Sequence, residues 1–230
     1  MTAERQSMEA DIVCVGFGPA TAGFLTTLSR AMMKPDGTPA FESKVMPGMP
    51  LQVMCYERAD DIGFGVSGIV TKGRHIRASF PDVDLAKEVP NAAEVSHEAV
   101  AYLFDTVGAS RRSAGTRFMD GIFKHGQFAM RAAPSATELP WIPPFLCKEP
   151  GVVMSMGAFM SWCGTQLMGS GLVQIWPGTP VSAPLLEGDA VVGVRLADQG
   201  VDKKGAPEAA YMPGMDIRAR LTVVGDGPVG

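Results

Sequence analysis

The sequence predicts an α/β fold organised around a parallel sheet. Three observations carry this. A strand, a glycine turn and a helix follow one another near the N-terminus. A second apolar strand ends in an acid, and a final β-branched strand runs into Gly225-Asp226-Gly227. Apolar strands alternating with helical patterns are the mark of βαβ construction.

The first unit starts at Asp11. Ile12, Val13, Cys14 and Val15 form a short apolar run suited to a strand buried on both faces. Gly16 and Gly18 follow, and a helical pattern continues through Phe24, Leu25 and Leu28. This is the dinucleotide-binding fingerprint in its proper context. Gly16 permits the tight turn. Gly18 has no side chain, so a pyrophosphate can approach the backbone, and the N–H groups and positive end of the helix hold the phosphates. Pro19 is harmless in the first helical turn, where its missing N–H would be unpaired anyway. Thr21 replaces the third glycine. Its branched side chain pushes the helix outward unless Ala22 and Gly23 absorb the shift. A glycine turn of this kind also occurs without any ligand.

Residues 1–10 read as a polar lead-in, and residues 34–50, rich in Pro and Gly, as a surface loop insertion. Residues 51–57 read as the second parallel strand, ending at Glu57, where an acid accepts hydrogen bonds from ribose hydroxyls. A solvated strand-end acid is the plainer alternative. The Gly-rich residues 59–68 give the chain room beside a bulky ring, with Ser67 and Gly68 offering a hydroxyl and N–H groups. Residues 81–146 break the pattern and look inserted. Within them residues 92–104 read as an amphipathic helix, and Arg111, Arg112 and Arg117 as a solvated basic run. Residues 134–150 are Pro-rich, with Trp141, Phe145 and Leu146 exposed or lining a groove.

Residues 154–168 predict a helix whose Met156, Phe159, Met160, Cys163 and Leu167 form a core stripe, ended by Gly169 and Gly171. Residues 173–176 alternate as a strand. Residues 185–195 read as a hairpin turning at Gly188-Asp189. Residues 202–207 are a polar loop, and residues 217–224 the final strand. Asp226, between glycines at its end, is well placed to meet a cofactor polyol or phosphate.

The chain has 230 residues, enough for one large domain or two small ones. Apolar residues make up 46% and charged residues 19%, so a sizeable core is expected rather than disorder. The net charge of −4 speaks against a nucleic-acid partner. No signal peptide is expected. The longest apolar stretch, residues 151–164, falls short of the roughly 18 residues a spanning helix needs. A peripheral membrane surface stays open. Cys14, Cys55, Cys147 and Cys163 lack metal spacing and read as reduced thiols of a reducing compartment. His75, His97 and His125 are isolated, and no catalytic constellation is visible.

Several motifs recur together: Gly16-x-Gly18-Pro19-Ala20; Cys55-Tyr56-Glu57-Arg58-Ala59 leading to Ile62-Gly63; and Val66-Ser67-Gly68. Ser161-Trp162, Trp176-Pro177-Gly178, the loop 200–207 and the strand 218–227 complete the set. By these the sequence resembles electron transfer flavoprotein–ubiquinone oxidoreductase and its bacterial flavoprotein relatives. The match is good at both ends and poor over residues 81–150. The 200–207 loop is its most specific part, having no generic structural reason to recur.

The resemblance implies a Rossmann-like FAD-binding domain of the glutathione-reductase type, with a β-hairpin layer and an inserted smaller subdomain. The expected division is residues 1–80 and 151–230 for the FAD-binding domain and residues 81–150 for a subdomain on the substrate or quinone side. It implies non-covalent FAD and electron flow from a reduced electron transfer flavoprotein, or a similar donor, towards a membrane quinone. The implied setting is the cytoplasm, with peripheral contact at the inner membrane face. Carried over, Gly16, Gly18, Pro19 and Ala20 hold the pyrophosphate and Glu57, followed by Arg58, the ribose. Ser67 and Gly68 neighbour the flavin, and Asp226 meets the ribityl or pyrophosphate end. Ser155 stands where relatives carry an arginine, which removes one phosphate partner. The relatives also continue beyond the last strand, so the expectation is a fragment or a piece of a larger assembly, without the iron–sulfur cluster. Two other readings stay open: an NAD(P)H-dependent reductase or monooxygenase of the geranylgeranyl-reductase type, and a redox-degenerate scaffold subunit.

Overall fold

The computed structural model describes residues 5–64, 67–103, 113–125, 132–133, 136–202 and 204–227. In chain order the elements are β1 (Ser7–Val15), α1 (Pro19–Met32), β2 (Val53–Tyr56), β3 (Gly68–Thr71), α2 (Arg74–Ser79), α3 (Leu85–Glu88), β4 (Ala92–Glu94), β5 (Ala101–Leu103), α4 (Ala114–His125), β6 (Ala132–Ala133), β7 (Ala136–Glu138), β8 (Val152–Ser155), α5 (Met156–Gly169), β9 (Val173–Trp176), β10 (Val181–Glu187), β11 (Ala190–Leu196), β12 (Gln199–Val201), β13 (Pro207–Met212) and β14 (Asp216–Val224). The chain divides into two units. The larger comprises Met1–Ile69, Gly73–Ala93 and Met154–Gly230; the smaller comprises Val70–Lys72 and Glu94–Val153.

The larger unit is built on a six-stranded sheet of order β10-β11-β14-β1-β2-β9. Strands β14, β1, β2 and β9 run parallel. The β10–β11 hairpin joins the β14 edge antiparallel and turns at Gly188-Asp189, as the sequence predicts. Strand β1 begins at Ser7, inside the stretch read as a lead-in. Its first residues are exposed, so no apolar pattern marks them, but they pair in register with Asp216–Ala219.

One face of this sheet buries Ala10, Val13, Met54, Tyr56, Val194, Leu196 and Ile217 in a single cluster. Helix α1 buries Leu25 and Met32 and packs against α5, which buries Phe159, Met160, Cys163 and Leu167. Four of the five residues of the expected stripe are therefore core, and Met156 is only partly buried. Each such side chain contributes about 1.5–3 kcal/mol when fully removed from water. Phe80 packs edge-on against Trp162 and Phe159, and Arg30 lies over its ring, which fastens the segment around α2.

The loop 34–50 is moored by one buried carboxylate. Asp11 accepts hydrogen bonds from the Ser43 hydroxyl at 2.6 Å, Lys44 N at 2.8 Å and Gln52 N at 2.8 Å. Burial pushes its pKa up, but the bonds from Ser43, Gln52, Lys44 and Val45 outweigh burial and leave it below the usual value.

In the smaller unit β5, β7 and β6 form an antiparallel sheet. The helix expected over residues 92–104 is absent among its described residues. Val95 N donates to Gly151 O at 2.9 Å. The Glu98 carboxylate receives Lys148 N at 2.7 Å, Glu149 N at 3.0 Å and the Cys147 thiol. Residues 101–103 pair with β7. These tertiary partners take backbone and side-chain groups that a helix would have kept local, so pairing overrides the periodic pattern. Phe104, Arg111 and Arg112 lie outside the described residues. Trp141, Phe145 and Leu146 are exposed, as are Leu103, Phe118 and Ile122.

The loop 200–207 proves to have a structural reason of its own. It turns the β12–β13 hairpin: Asp202 Oδ1 accepts from Lys204 N and Ala206 N, each at 2.8 Å, and Gly205 has φ +81°.

Candidate functional site

The turn after β1 is built as its glycines require. Gly16 has φ +82°, and its N–H donates to Tyr56 O at 2.8 Å. A Cβ there would lie 2.5 Å from Gly225 O, so only glycine fits. Gly18 is different. It is extended, with φ −91° and ψ 177°, and the nearest atom to a built Cβ is Gly225 O at an ordinary 3.9 Å. Nothing among the described residues needs a bare backbone at Gly18. Pro19 opens α1, whose first N–H groups have no partner further back in the helix. Its first turn carries no acidic side chain.

Glu57, half-buried just past β2, turns back to this loop. Its Oε2 accepts Phe17 N at 2.6 Å and its Oε1 accepts Ala59 N at 2.8 Å. Its own N–H donates to Trp176 O at 2.9 Å. Each carboxylate oxygen has further acceptor capacity, so the group can take hydroxyl donors while staying fixed.

A cleft of about 560 Å³ opens beside the turn. Gly16, Gly18, Pro19, Glu57, Arg58 and Asp226 line its polar end, and Val181, Pro184, Val191, Val194 and Val224 its apolar walls. Asp226 is exposed at its mouth. Thr222 also lines it, with a buried hydroxyl that has no hydrogen-bond partner among the described residues. The structure thus gathers six of the sequence-predicted residues around one space.

Three others lie off this cleft. Ala20 is exposed in the first turn of α1. Ser67 is exposed and accepts Met156 N with its carbonyl. Gly68 opens β3, and its built Cβ would meet Met154 O at 3.5 Å. The neighbouring Gly-rich loop is fitted to α5 instead. Gly63, at φ +80°, lies backbone to backbone against Gly157, and Ser161 Oγ donates to Ile62 O at 3.0 Å. Ser155 caps α5 by accepting Ala158 N.

Thr21, in place of the third glycine, is accommodated at Gly225. Thr21 is buried, and its Oγ1 faces Gly225, where any Cβ would overlap it. Gly225 was missed as a site residue. The glycine preceding Asp226 was the signal.

All four cysteines are free thiols. Burial pushes Cys14 and Cys163 up to about 12 and Cys55 higher still. Among the described residues no group of His, Cys, Asp and Glu could hold a metal ion, and no helix is long and apolar enough to cross a membrane.

No family model matches the chain. The resemblance read from its motifs is borne out by curated relatives. The chain is 30% identical, over 97% of its length, to an electron transfer flavoprotein-ubiquinone oxidoreductase of Pseudomonas aeruginosa, covering 34% of that protein. It is 31% identical to the mitochondrial protein of that name from Caenorhabditis elegans and 25% to the human one, again over 97% of its length, covering 31% and 30% of them. The chain therefore spans about a third of the length of these relatives. Among solved structures it superimposes on the flavin-dependent monooxygenase PieE with a TM-score of 0.52 at 12% identity, covering 94% of this chain and 30% of that one. A geranylgeranyl bacteriochlorophyll reductase-like protein from Thermoplasma acidophilum gives 0.50 at 13%, covering 96% and 40%. These likenesses show the fold: the α/β fold of the FAD-dependent monooxygenases and reductases, with its hairpin layer.

Proposed function

We propose that the larger unit binds FAD, with the adenosine and pyrophosphate along the cleft, and that the chain is the FAD-binding part of an electron-transferring oxidoreductase. The observation that carries this is Gly18. Its bare backbone answers no packing need among the described residues, so the space it leaves suits a ligand lying on the turn. The donor set fits the same group. Orphan N–H groups at the start of α1 and the helix dipole favour a pyrophosphate. The fixed Glu57 carboxylate suits ribose hydroxyls and repels a ribose that carries a phosphate. Asp226, at the cleft mouth, suits a polyol.

Bound there, the flavin supplies one- and two-electron redox chemistry. The chain's own residues position it and set its electrostatics. Electron transfer needs no side-chain acid or base, which agrees with the lack of a catalytic constellation among the predicted residues. By the names of the relatives, the donor is a reduced electron transfer flavoprotein or a similar protein, and the acceptor a quinone. Residues 81–150 are proposed as the quinone side, with Ser67 and Gly68 towards the flavin. The exposed Trp141, Phe145 and Leu103 suit a peripheral contact at the inner face of the membrane. Reducing the FAD-loaded protein anaerobically tests the donor. Reduced electron transfer flavoprotein should bleach the flavin and NADPH should not. Bleaching by NADPH alone would move the chain to the reductase class, and failure to take up FAD would leave the scaffold reading.

A further inference from the structure

We infer that Thr21 and Gly225 form a steric lock that seats the Gly225–Asp226 backbone against the glycine turn, making Thr21 a positioning residue for Asp226. This rests on the FAD reading of the cleft. Three contacts define the lock. Gly225 N donates to Val15 O at 2.8 Å, tying it to the end of β1. The Gly225 carbonyl fills the space where a Gly16 side chain would be, with Gly225 C at 3.0 Å and Asp226 Cα at 3.4 Å from that absent Cβ. On its other side, the Thr21 hydroxyl occupies the place of a Gly225 side chain.

Among the described residues the obstruction is the hydroxyl alone. A Cβ on Gly225 would clear Thr21 Cβ at 3.5 Å and Val15 O at 3.4 Å. Thr21 Oγ1 is also buried with no hydrogen-bond partner among the described residues, so its contribution is its volume. The bulk missing at Gly225 is supplied by Thr21. With the wedge removed, Gly225 regains its backbone freedom and Asp226 loses its fixed place at the cleft mouth.

FAD affinity and thermal unfolding of the apoprotein, measured across a mutant set, test this. Thr21→Val keeps the shape and should bind FAD within about threefold of the parent, whereas Thr21→Ala should lose about tenfold. Gly225→Ala alone should lose about a hundredfold or more, and Thr21→Ala/Gly225→Ala should recover to within about threefold of the parent. Asp226→Asn should weaken binding less in the Thr21→Ala background than in the parent. A purely structural threonine would not produce that coupling. The lock is overturned if Gly225→Ala is harmless, if the double variant fails to recover, or if Thr21→Val falls like Thr21→Ala while Thr21→Ser does not. If the parent takes up no FAD, the cofactor reading fails. The lock is then still decided by the unfolding temperatures, where the double variant must exceed Gly225→Ala.

Discussion

Phe17 N donates to Glu57 Oε2 at 2.6 Å, which couples the glycine turn after β1 to the acid after β2. The acid is thus fixed before any ligand arrives, its second oxygen held by Ala59 N. A carboxylate that has already lost its rotamer freedom makes hydroxyl bonds at lower entropic cost. Glu57→Gln exchanges an acceptor for a donor that must face one of these two N–H groups. Fluorescence titration should show FAD affinity falling about ten- to a hundredfold, the range for a lost charged hydrogen bond.

Gly16 and Gly18 should respond in opposite ways. Gly16→Ala forces φ +82° and a collision with Gly225 O, so the apoprotein should lose about 1–3 kcal/mol of stability in a denaturant titration. Gly18→Ala meets nothing closer than 3.9 Å and should leave apoprotein stability within about 0.5 kcal/mol, while FAD affinity falls at least about tenfold. A Gly18→Ala protein that unfolds easily, or that binds FAD normally, would contradict the role given to this glycine.

Asp198 governs part of the acid response. The Arg5 guanidinium, bonded at 2.6 and 3.0 Å, and then Gly214 N hold its pKa down to about 2. A carboxylate depressed in the folded state stabilises fully above its unfolded value of about 4 and loses that contribution as pH falls through its folded value. Asp198→Asn should therefore unfold more easily at neutral pH and show a shallower stability loss between about pH 4 and pH 2. Equal slopes for the two proteins would contradict this.

Thiol titration separates the cysteines. Cys14, Cys55 and Cys163 are buried and carry raised pKa values, so they should react with a disulfide reagent only as the protein unfolds. Cys147 is partly exposed and should react first.

The parts of the fold governed by local chemistry were legible in the sequence: the Gly16 turn, α1 opening at Pro19, the acid at Glu57 and the Gly188 hairpin. The misreadings share one cause. Residues 92–104 carry a helical pattern, but Glu98 and Val95 find partners about 50 residues away, around residues 147–151. Ser7–Glu9 joins β1 through pairing with β14, which their exposed side chains do not announce. Gly225 complements Thr21 across some 200 residues, a relation no window of sequence displays. The buried Asp11 mooring the 34–50 loop belongs to the same class.

The central claim is decided by titrating the purified chain with FAD and following flavin absorbance and fluorescence, with Gly18→Ala in parallel. Saturation at one FAD per chain, with a Kd at or below about 1 μM, weakened at least about tenfold in the variant, is the expected result. No uptake, or equal uptake by both proteins, would contradict it.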